Sequence, residues 1–142
     1  RTDERVKLLT TLYRDHGYKE ILGSLDDDIE YLNDIKNNRA SASKTGIYSA
    51  DTILIPLEDG DRAEILKKSG KNIITIDLNP LSRTSKMSDV SIMDNIVRAI
   101  PFMTKIAEDL KTQDKEILME LVNEYDNDEN LKESLEQIRI KE

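Results

Sequence analysis

Short apolar runs and helically spaced apolar positions alternate along this chain of 142 residues. Three runs rich in β-branched residues lie at 53–57, 72–77 and 89–93 and predict strands. The continuous apolar run at 53–57 is typical of a strand covered on both faces. The first run contains Pro56, which must lie at a strand end or at a sheet edge because proline cannot donate to the hydrogen-bond ladder. Residues 19–23 predict a further short strand.

Apolar residues three and four positions apart predict helices around these runs. The predicted helices run from an N-cap at Thr2 to Gly17, from Asp61 to Gly70, and from Asp94 or Asn95 to Leu110. Pro101 should kink the last of them, but its apolar stripe continues past the proline, so we expect one bent helix.

The signal is weaker in residues 24–46. Three aspartates precede Ile29, Tyr31, Leu32 and Ile35, a pattern that predicts a short helix with an acidic first turn. Residues 37–45 are small and polar and predict a mobile loop. We assign no chemistry to either segment.

The repeated order of strand, turn, helix and strand predicts an α/β fold. We expect a Rossmann-like three-layer domain with a mostly parallel sheet over residues 1–111, followed by a short helical extension over 112–142. The extension predicts two amphipathic helices broken around residues 126–128, and its ten acidic and four basic residues supply −6 of the net charge of −8. We expect an acidic appendage held by a few leucines rather than a dedicated binding surface, although capping of a partner subunit stays open.

Composition excludes several classes of function. The net charge of −8, the 4% aromatic content and the absence of Trp argue against a general nucleic-acid binder, while one bound nucleotide needs only a local arginine and a helix N-terminus. With no cysteine and one histidine, thiolate sites and His-rich zinc sites are excluded. No apolar run approaches the roughly 18 residues that cross a bilayer, so we expect a cytoplasmic protein without a membrane partner.

Polar residues collect directly after the second and first apolar runs. Asp77 ends the run at 72–77, and Asn79 and Arg83 follow it, where an open α/β sheet presents ligand-binding groups. Arg83 is a natural phosphate clamp. The alternative is a plain turn with a surface salt bridge.

A second cluster, Glu58, Asp59, Asp61 and Arg62, follows the run at 53–57. It could hold Mg²⁺ through water, meet the ammonium of an amine substrate, or cap a helix, and we favour capping for Asp61.

Three blocks carry a resemblance to a known family: RTDERVK at 1–7, PLEDGDR at 56–62 and IDLNPLSRTSKMSDVSIMDNIVRAIP at 76–101. In this order they resemble the archaeal 4-phosphopantoate–β-alanine ligase family, also called phosphopantothenate synthetase, over roughly residues 1–111. Members of that family are longer, so the chain resembles their C-terminal portion. The resemblance implies that the ATP-binding residues are Asp77, Leu78, Asn79, Arg83, Thr84, Asn95 and Ile96, with Glu58, Asp61 and Arg62 as candidate substrate or phosphate contacts.

The resemblance also implies an activity. ATP, with Mg²⁺, would activate 4-phosphopantoate as an acyl-adenylate with release of diphosphate, and β-alanine would displace AMP to give 4′-phosphopantothenate for coenzyme A biosynthesis. A homodimer is implied as well. No catalytic residue or metal ligand is identifiable, and the alternative is a non-catalytic nucleotide-binding or interaction domain without the N-terminal half of the enzyme.

Overall fold

The computed structural model describes residues 2–34 and 39–139. Its helices are α1 (Asp3–Asp15), α2 (Gly60–Lys68), α3 (Arg83–Met87), α4 (Ile96–Leu110), α5 (Lys115–Glu124) and α6 (Asn127–Arg139). Its strands are β1 (Ile29–Tyr31), β2 (Ser41–Ser43), β3 (Thr52–Ile55), β4 (Asn72–Asp77) and β5 (Val90–Met93). Short helical turns follow β1 at Leu32–Asp34 and β2 at Lys44–Tyr48.

The strands form two sheets. β3, β4 and β5 make a parallel sheet in that order, with Leu54 opposite Ile74 and Ile76 opposite Ile92. β1 and β2 form a separate antiparallel pair. The α/β class, the parallel sheet and the C-terminal helices are therefore confirmed, while the sheet pairing as a whole is mixed.

The main core lies where α2 packs against the parallel sheet and meets the antiparallel pair. Its buried residues are Leu32, Ala40, Ala42, Ile53, Ile55, Ala63, Leu66 and Ile73. β3 is an edge strand that contributes only alternate residues to this core, since Leu54 keeps 42% of its surface exposed. The prediction that this strand is covered on both faces is wrong, and Pro56 follows its end as expected.

Three predictions about residues 19–45 are wrong. Residues 19–23 form no strand, because the chain turns there with the backbone N–H groups of Gly23 and Ser24 donating to the Asp27 carboxylate. Ile29–Tyr31 is a strand rather than a helix, and its partner Ser41–Ser43 lies in the predicted loop. A strand of small polar residues carries no apolar periodicity, so only its partner reveals it. The calls on Ile35 and on residues 37–38 lie outside the described residues.

The helix termini follow local chemistry. The Thr2 hydroxyl caps α1 by accepting the Arg5 N–H at 3.4 Å, and Gly17 follows the helix with φ +88°. Asn95 caps α4, which runs through Pro101 as one helix. α2 is capped by Asp59, whose carboxylate accepts the Arg62 N–H at 3.2 Å, so the prediction that Asp61 caps it is wrong.

The C-terminal residues form the two predicted helices, with the break at residues 125–126. α6 packs along β5, where the Tyr125 hydroxyl accepts the Ser91 N–H at 3.2 Å and the Asn130 amide donates to the Ser91 carbonyl at 2.9 Å. The boundary at residue 111 stays a prediction. Over the described stretches, no helix has the length and apolar content to span a membrane.

Candidate functional site

A loop built by its own side chains follows β4. One Asp77 carboxylate oxygen accepts the Asn79 N–H at 2.9 Å, and the other accepts the Ser82 hydroxyl at 2.5 Å. The Asn79 side-chain oxygen accepts the Leu81 N–H at 2.9 Å, and Ser82 caps α3 by accepting the Ser85 N–H at 3.0 Å. Each polar side chain thus fixes the next turn, which leaves the loop with little freedom.

Thr84 ties this loop to the one that follows β3. It is fully buried, and its hydroxyl accepts the Asp59 N–H at 3.0 Å and lies 3.4 Å from a Glu58 carboxylate oxygen. The same Glu58 oxygen accepts the Gly60 N–H at 3.2 Å. The ends of β3 and β4 are therefore held together through a buried hydroxyl.

Arginine and aspartate side chains form ion pairs between the loops that follow β3 and β4. Arg39 contacts Asp59 at 3.2 Å and Asp61 at 2.9 Å, and Asp61 also contacts the Arg83 guanidinium. Arg83 lies 3.7 Å from Glu64 as well. We call Arg39, Asp59, Asp61 and Arg83 the ion-pair cluster.

Gly60 makes room for the cluster. A Cβ built at Gly60 would lie 2.7 Å from Arg83 Nε and 2.9 Å from Arg83 Cβ. The second distance involves an atom fixed to the backbone, so a larger residue would require the start of α3 to shift. The glycine therefore sets how closely Arg83 lies against the N-terminus of α2.

A cleft of about 200 Å³ opens between the carboxyl ends of the three parallel strands. Its lining residues are Pro56, Leu57, Glu58, Ile76, Asp77, Leu78, Asp94, Asn95 and Ile96. We call it the strand-end cleft. α4 begins at the cleft, with Asn95 and Ile96 among the lining residues, so its N-terminus favours negative charge there.

Asp94 lines the cleft and has a lowered pKa. Hydrogen bonds from the Arg98 guanidinium and from the Asn95 N–H, at 2.7 Å, hold the pKa of Asp94 below its ordinary value. Arg98 neutralises this carboxylate without entering the cleft lining. The Arg98 charge therefore reduces the electrostatic repulsion between the Asp94 carboxylate and a negatively charged ligand in the cleft.

The match to known proteins covers nearly the whole chain. The family model for phosphopantothenate/pantothenate synthetase matches residues 1–141. This chain belongs to the phosphopantothenate/pantothenate synthetase family.

Curated relatives agree with this assignment. The 4-phosphopantoate–β-alanine ligases of Methanosarcina mazei and Thermococcus kodakarensis are 46% and 42% identical to the chain, and each alignment covers 98% of it. The Methanospirillum hungatei ligase is 37% identical over the same share. These alignments cover 53% to 54% of the relatives, so the chain spans about half their length.

The residues that the sequence predicted as nucleotide or substrate contacts lie in three separate places. Glu58, Asp77, Leu78, Asn95 and Ile96 line the strand-end cleft. Asp61 and Arg83 belong to the ion-pair cluster, which shares Glu58 as a lining residue with the cleft. Asn79, Thr84 and Arg62 line neither; Asn79 is exposed beside the loop, Thr84 is buried, and Arg62 contacts Asp59 at 3.8 Å.

Sequence reasoning missed Arg39, Gly60 and Asp94 as members of the candidate site. Arg39 is distant in sequence from both loops, so no local pattern marks it. Gly60 and Asp94 lie inside the two quoted motifs, and the sequence signal for them was a glycine before a helix and an acidic residue before an N-cap.

Proposed function

We propose that the chain carries the ATP-binding side of a 4-phosphopantoate–β-alanine ligase. The observation that carries the proposal is the convergence of three loops at the carboxyl ends of parallel strands β3, β4 and β5, where open α/β sheets bind nucleotides. Family membership supplies the chemistry. We also propose that the parallel sheet is part of a Rossmann-like three-layer domain.

In this proposal the ATP phosphates bind between the strand-end cleft and the ion-pair cluster. Arg83 clamps a phosphate through two parallel hydrogen bonds, for which it must exchange Asp61 for the nucleotide. Asn95 and Ile96 present the N-terminus of α4, and Leu78, with 66% of its surface exposed, supplies an apolar wall.

Two of the residues expected to bind ATP, Asp77 and Thr84, position other residues of the site and do not contact the nucleotide themselves. Asp77 uses both carboxylate oxygens to build the loop that carries Asn79 and Arg83. Thr84 is fully buried and holds Glu58 and Asp59 in place, so its part in ATP binding is to position the two loops. Asn79 keeps its side-chain amide nitrogen for the ligand while its oxygen fixes Leu81.

The reaction needs charge neutralisation more than a strong base. A carboxylate oxygen of 4-phosphopantoate attacks the α-phosphorus of ATP, and the bond to diphosphate breaks. The amine of β-alanine then attacks the acyl carbon, loses a proton and displaces AMP. Arginines and helix N-termini stabilise the charge that develops on phosphate oxygens in the first step.

The described residues do not fit a dedicated Mg²⁺ site. Across residues 2–34 and 39–139, no group of three or more His, Cys, Asp or Glu side chains is arranged to hold a metal ion. Asp59 and Asp61 face arginines instead. We propose that Mg²⁺ accompanies ATP on its phosphates.

We also propose that the protein acts in the cytoplasm as a homodimer. Phe102 and Ile106, four positions apart on α4, keep 65% and 40% of their surface exposed, and apolar residues exposed on one helix face suit a subunit contact. Sedimentation of the chain at several concentrations would show a dimer if the proposal holds and a monomer if it fails.

The ligase proposal is tested by AMP formation from ATP. We expect AMP only when 4-phosphopantoate and β-alanine are both present, and an acyl-adenylate that accumulates when β-alanine is omitted. A chain that binds ATP but forms no AMP, alone or extended to the full length of its relatives, would instead be a non-catalytic nucleotide-binding domain.

A further inference from the structure

A buried serine lies behind the loop that carries Arg83. α3 contains only five residues, and a helix of this length is not stable on its own. Its outer side carries the exposed Arg83, and its inner side carries Thr84 and Ser85, both 0% exposed. The direction in which Arg83 points therefore depends on the contacts that hold the inner side of α3. No part of the proposed handling of ATP uses the Ser85 side chain.

The Ser85 hydroxyl contacts the loop after β4 from inside the fold. It donates to the Asn79 carbonyl oxygen at 3.2 Å, and it lies 3.1 Å from the Ser82 hydroxyl oxygen. The same Asn79 carbonyl accepts the Ser82 N–H at 3.0 Å, which closes the turn that contains Pro80. Ser85 thus bonds to both ends of that turn.

The Ser85 carbonyl is held from the opposite direction. It accepts the Ser91 hydroxyl of β5 and the Asn127 side-chain amide of α6, both at 3.1 Å. The last carbonyl oxygens of a helix lack intrahelical partners, and these two side chains supply them here. Ser91 is itself fixed, because its N–H and carbonyl bond to Tyr125 and Asn130. One residue of α3 therefore connects the loop, the sheet and the C-terminal helices.

Packing alone does not explain a serine at this position. Alanine would fit the same buried space and has a higher helix propensity, so it would suit the interior of α3 better if Ser85 only filled it. A buried hydroxyl is costly unless it is hydrogen-bonded. Within the described residues, both partners of the Ser85 hydroxyl belong to the loop after β4. The hydroxyl therefore restricts that loop.

We propose that Ser85 is a positioning residue, which fixes the loop after β4 and so aims Arg83 at the ligand of the site. The proposal rests on the proposed ATP-binding function for the identity of that ligand. It also gives the C-terminal helices a part in the site, since Asn127 holds the residue that holds the loop. Because the loop is ordered before ATP arrives, the nucleotide does not lose affinity by ordering it.

Calorimetric titration with ATP tests this role in Ser85→Ala and Ser88→Ala. The two variants are matched, since Ser88 is also buried and its hydroxyl donates to a backbone carbonyl, that of Thr84, at 2.8 Å. We expect Ser85→Ala to raise the Kd for ATP about fivefold, as loss of one neutral hydrogen bond implies, and Ser88→Ala to stay within about twofold of wild type. Urea unfolding checks that both variants are folded and similar in stability.

A double variant shows whether Ser85 acts through Arg83. In a chain that already carries Arg83→Ala, we expect Ser85→Ala to change the Kd for ATP by no more than about twofold, because the guanidinium that it positions is gone. A general loss of stability would instead weaken ATP binding equally in both backgrounds.

Amide hydrogen exchange without ATP measures the loop directly. The Leu81 and Ser82 N–H groups bond within the loop, to the side-chain and backbone oxygens of Asn79. We expect them to exchange faster in Ser85→Ala than in wild type or Ser88→Ala, because the loop opens more often once the hydroxyl is removed.

Three results would overturn the proposal: equal Kd values for ATP in the two single variants, unchanged exchange of the loop in Ser85→Ala, or a fivefold loss that persists in the Arg83→Ala background. If the wild-type chain binds no ATP but Ser85→Ala still speeds exchange of the loop, Ser85 keeps its positioning role. Only the nucleotide-binding function would then be rejected.

Discussion

Arg83, the first residue of α3, is paired with Asp61, in the first turn of α2. The pair spans the two loops that follow β3 and β4, and Arg39 contacts the second oxygen of the same carboxylate at 2.9 Å. Asp61 thus holds the guanidinium at the edge of the candidate site. One Asp61 oxygen contacts Arg83 and the other contacts Arg39, so a phosphate that took both Arg83 donors would have to displace this shared carboxylate.

The first prediction concerns the Arg83 side chain. We expect Arg83→Ala to weaken ATP binding by about tenfold or more, as loss of roughly 1.5 to 3 kcal/mol of charged hydrogen bonding implies. Arg83→Lys keeps the charge but loses the bidentate geometry, so its affinity for ATP should lie between those of wild type and Arg83→Ala. Titration calorimetry with ATP measures the effect, and Lys86→Ala, an exposed cation in the same short helix, is the control. Unchanged ATP affinity in a folded Arg83→Ala variant would remove this residue from the site.

The sequence predicted the parts of the site that are built locally. The loop after β4 follows from Asp77, Asn79 and Ser82, each of which bonds to a backbone or side-chain group within five residues, and the Asn95 cap follows in the same way. Such contacts depend on residue type and spacing, which the sequence displays. The three parallel strands were also predicted from local sequence, since each contains a short run rich in β-branched residues.

The parts that sequence reasoning missed depend on contacts between distant segments. β2 is a run of small polar residues that becomes a strand only by pairing with β1. Asp59 rather than Asp61 caps α2 because the cap is decided by backbone dihedrals, here φ −152° and ψ 76°, and both residues have the same side chain. The α1 stripe was predicted as amphipathic, yet Leu8 and Leu12 are half exposed or more, and the pattern of a helix does not say what covers it.

The second prediction concerns pH and Asp89, at the start of β5. Burial by itself raises the pKa of Asp89, but hydrogen bonds from Lys67 and from the Ile73 N–H, at 2.8 Å, outweigh it and leave the pKa below its ordinary value. A lowered pKa in the folded state means that the ionised carboxylate stabilises the fold above the unfolded pKa, near 4. This contribution is lost as pH falls through the folded pKa.

Urea unfolding of wild type and Asp89→Asn at several pH values measures this contribution. We expect wild type to be more stable near neutral pH by up to about 1 kcal/mol, since the side chain is 39% exposed and solvent screens the Lys67 pair. The difference should narrow from about pH 5 downward. Asp51→Asn changes an exposed aspartate whose side chain makes no hydrogen bond within the described residues, and it should show no such narrowing. A difference that grows on acidification would contradict the direction given for Asp89.

The third prediction concerns Asn127, the first residue of α6. Its side-chain amide donates to the carbonyl oxygens of Ser85 and Ser88, at 3.1 and 3.0 Å, and so joins the acidic extension to the segment between α3 and β5. Asn127→Ala would leave the Ser88 carbonyl without this donor, and we expect a loss of about 1 to 3 kcal/mol of unfolding free energy. Glu133→Ala, on an exposed position of the same helix, should stay within about 0.5 kcal/mol of wild type.

Chemical denaturation followed by circular dichroism measures both Asn127→Ala and Glu133→Ala. Because the Ser85 N–H donates to the Ser82 hydroxyl in the turn that carries Arg83, the Asn127→Ala variant should weaken ATP binding as well, by less than Arg83→Ala does. Equal stability of the two variants would contradict the structural role given to the Asn127 hydrogen bonds. A single transition shifted by Asn127→Ala would instead show that α6 supports the segment between α3 and β5.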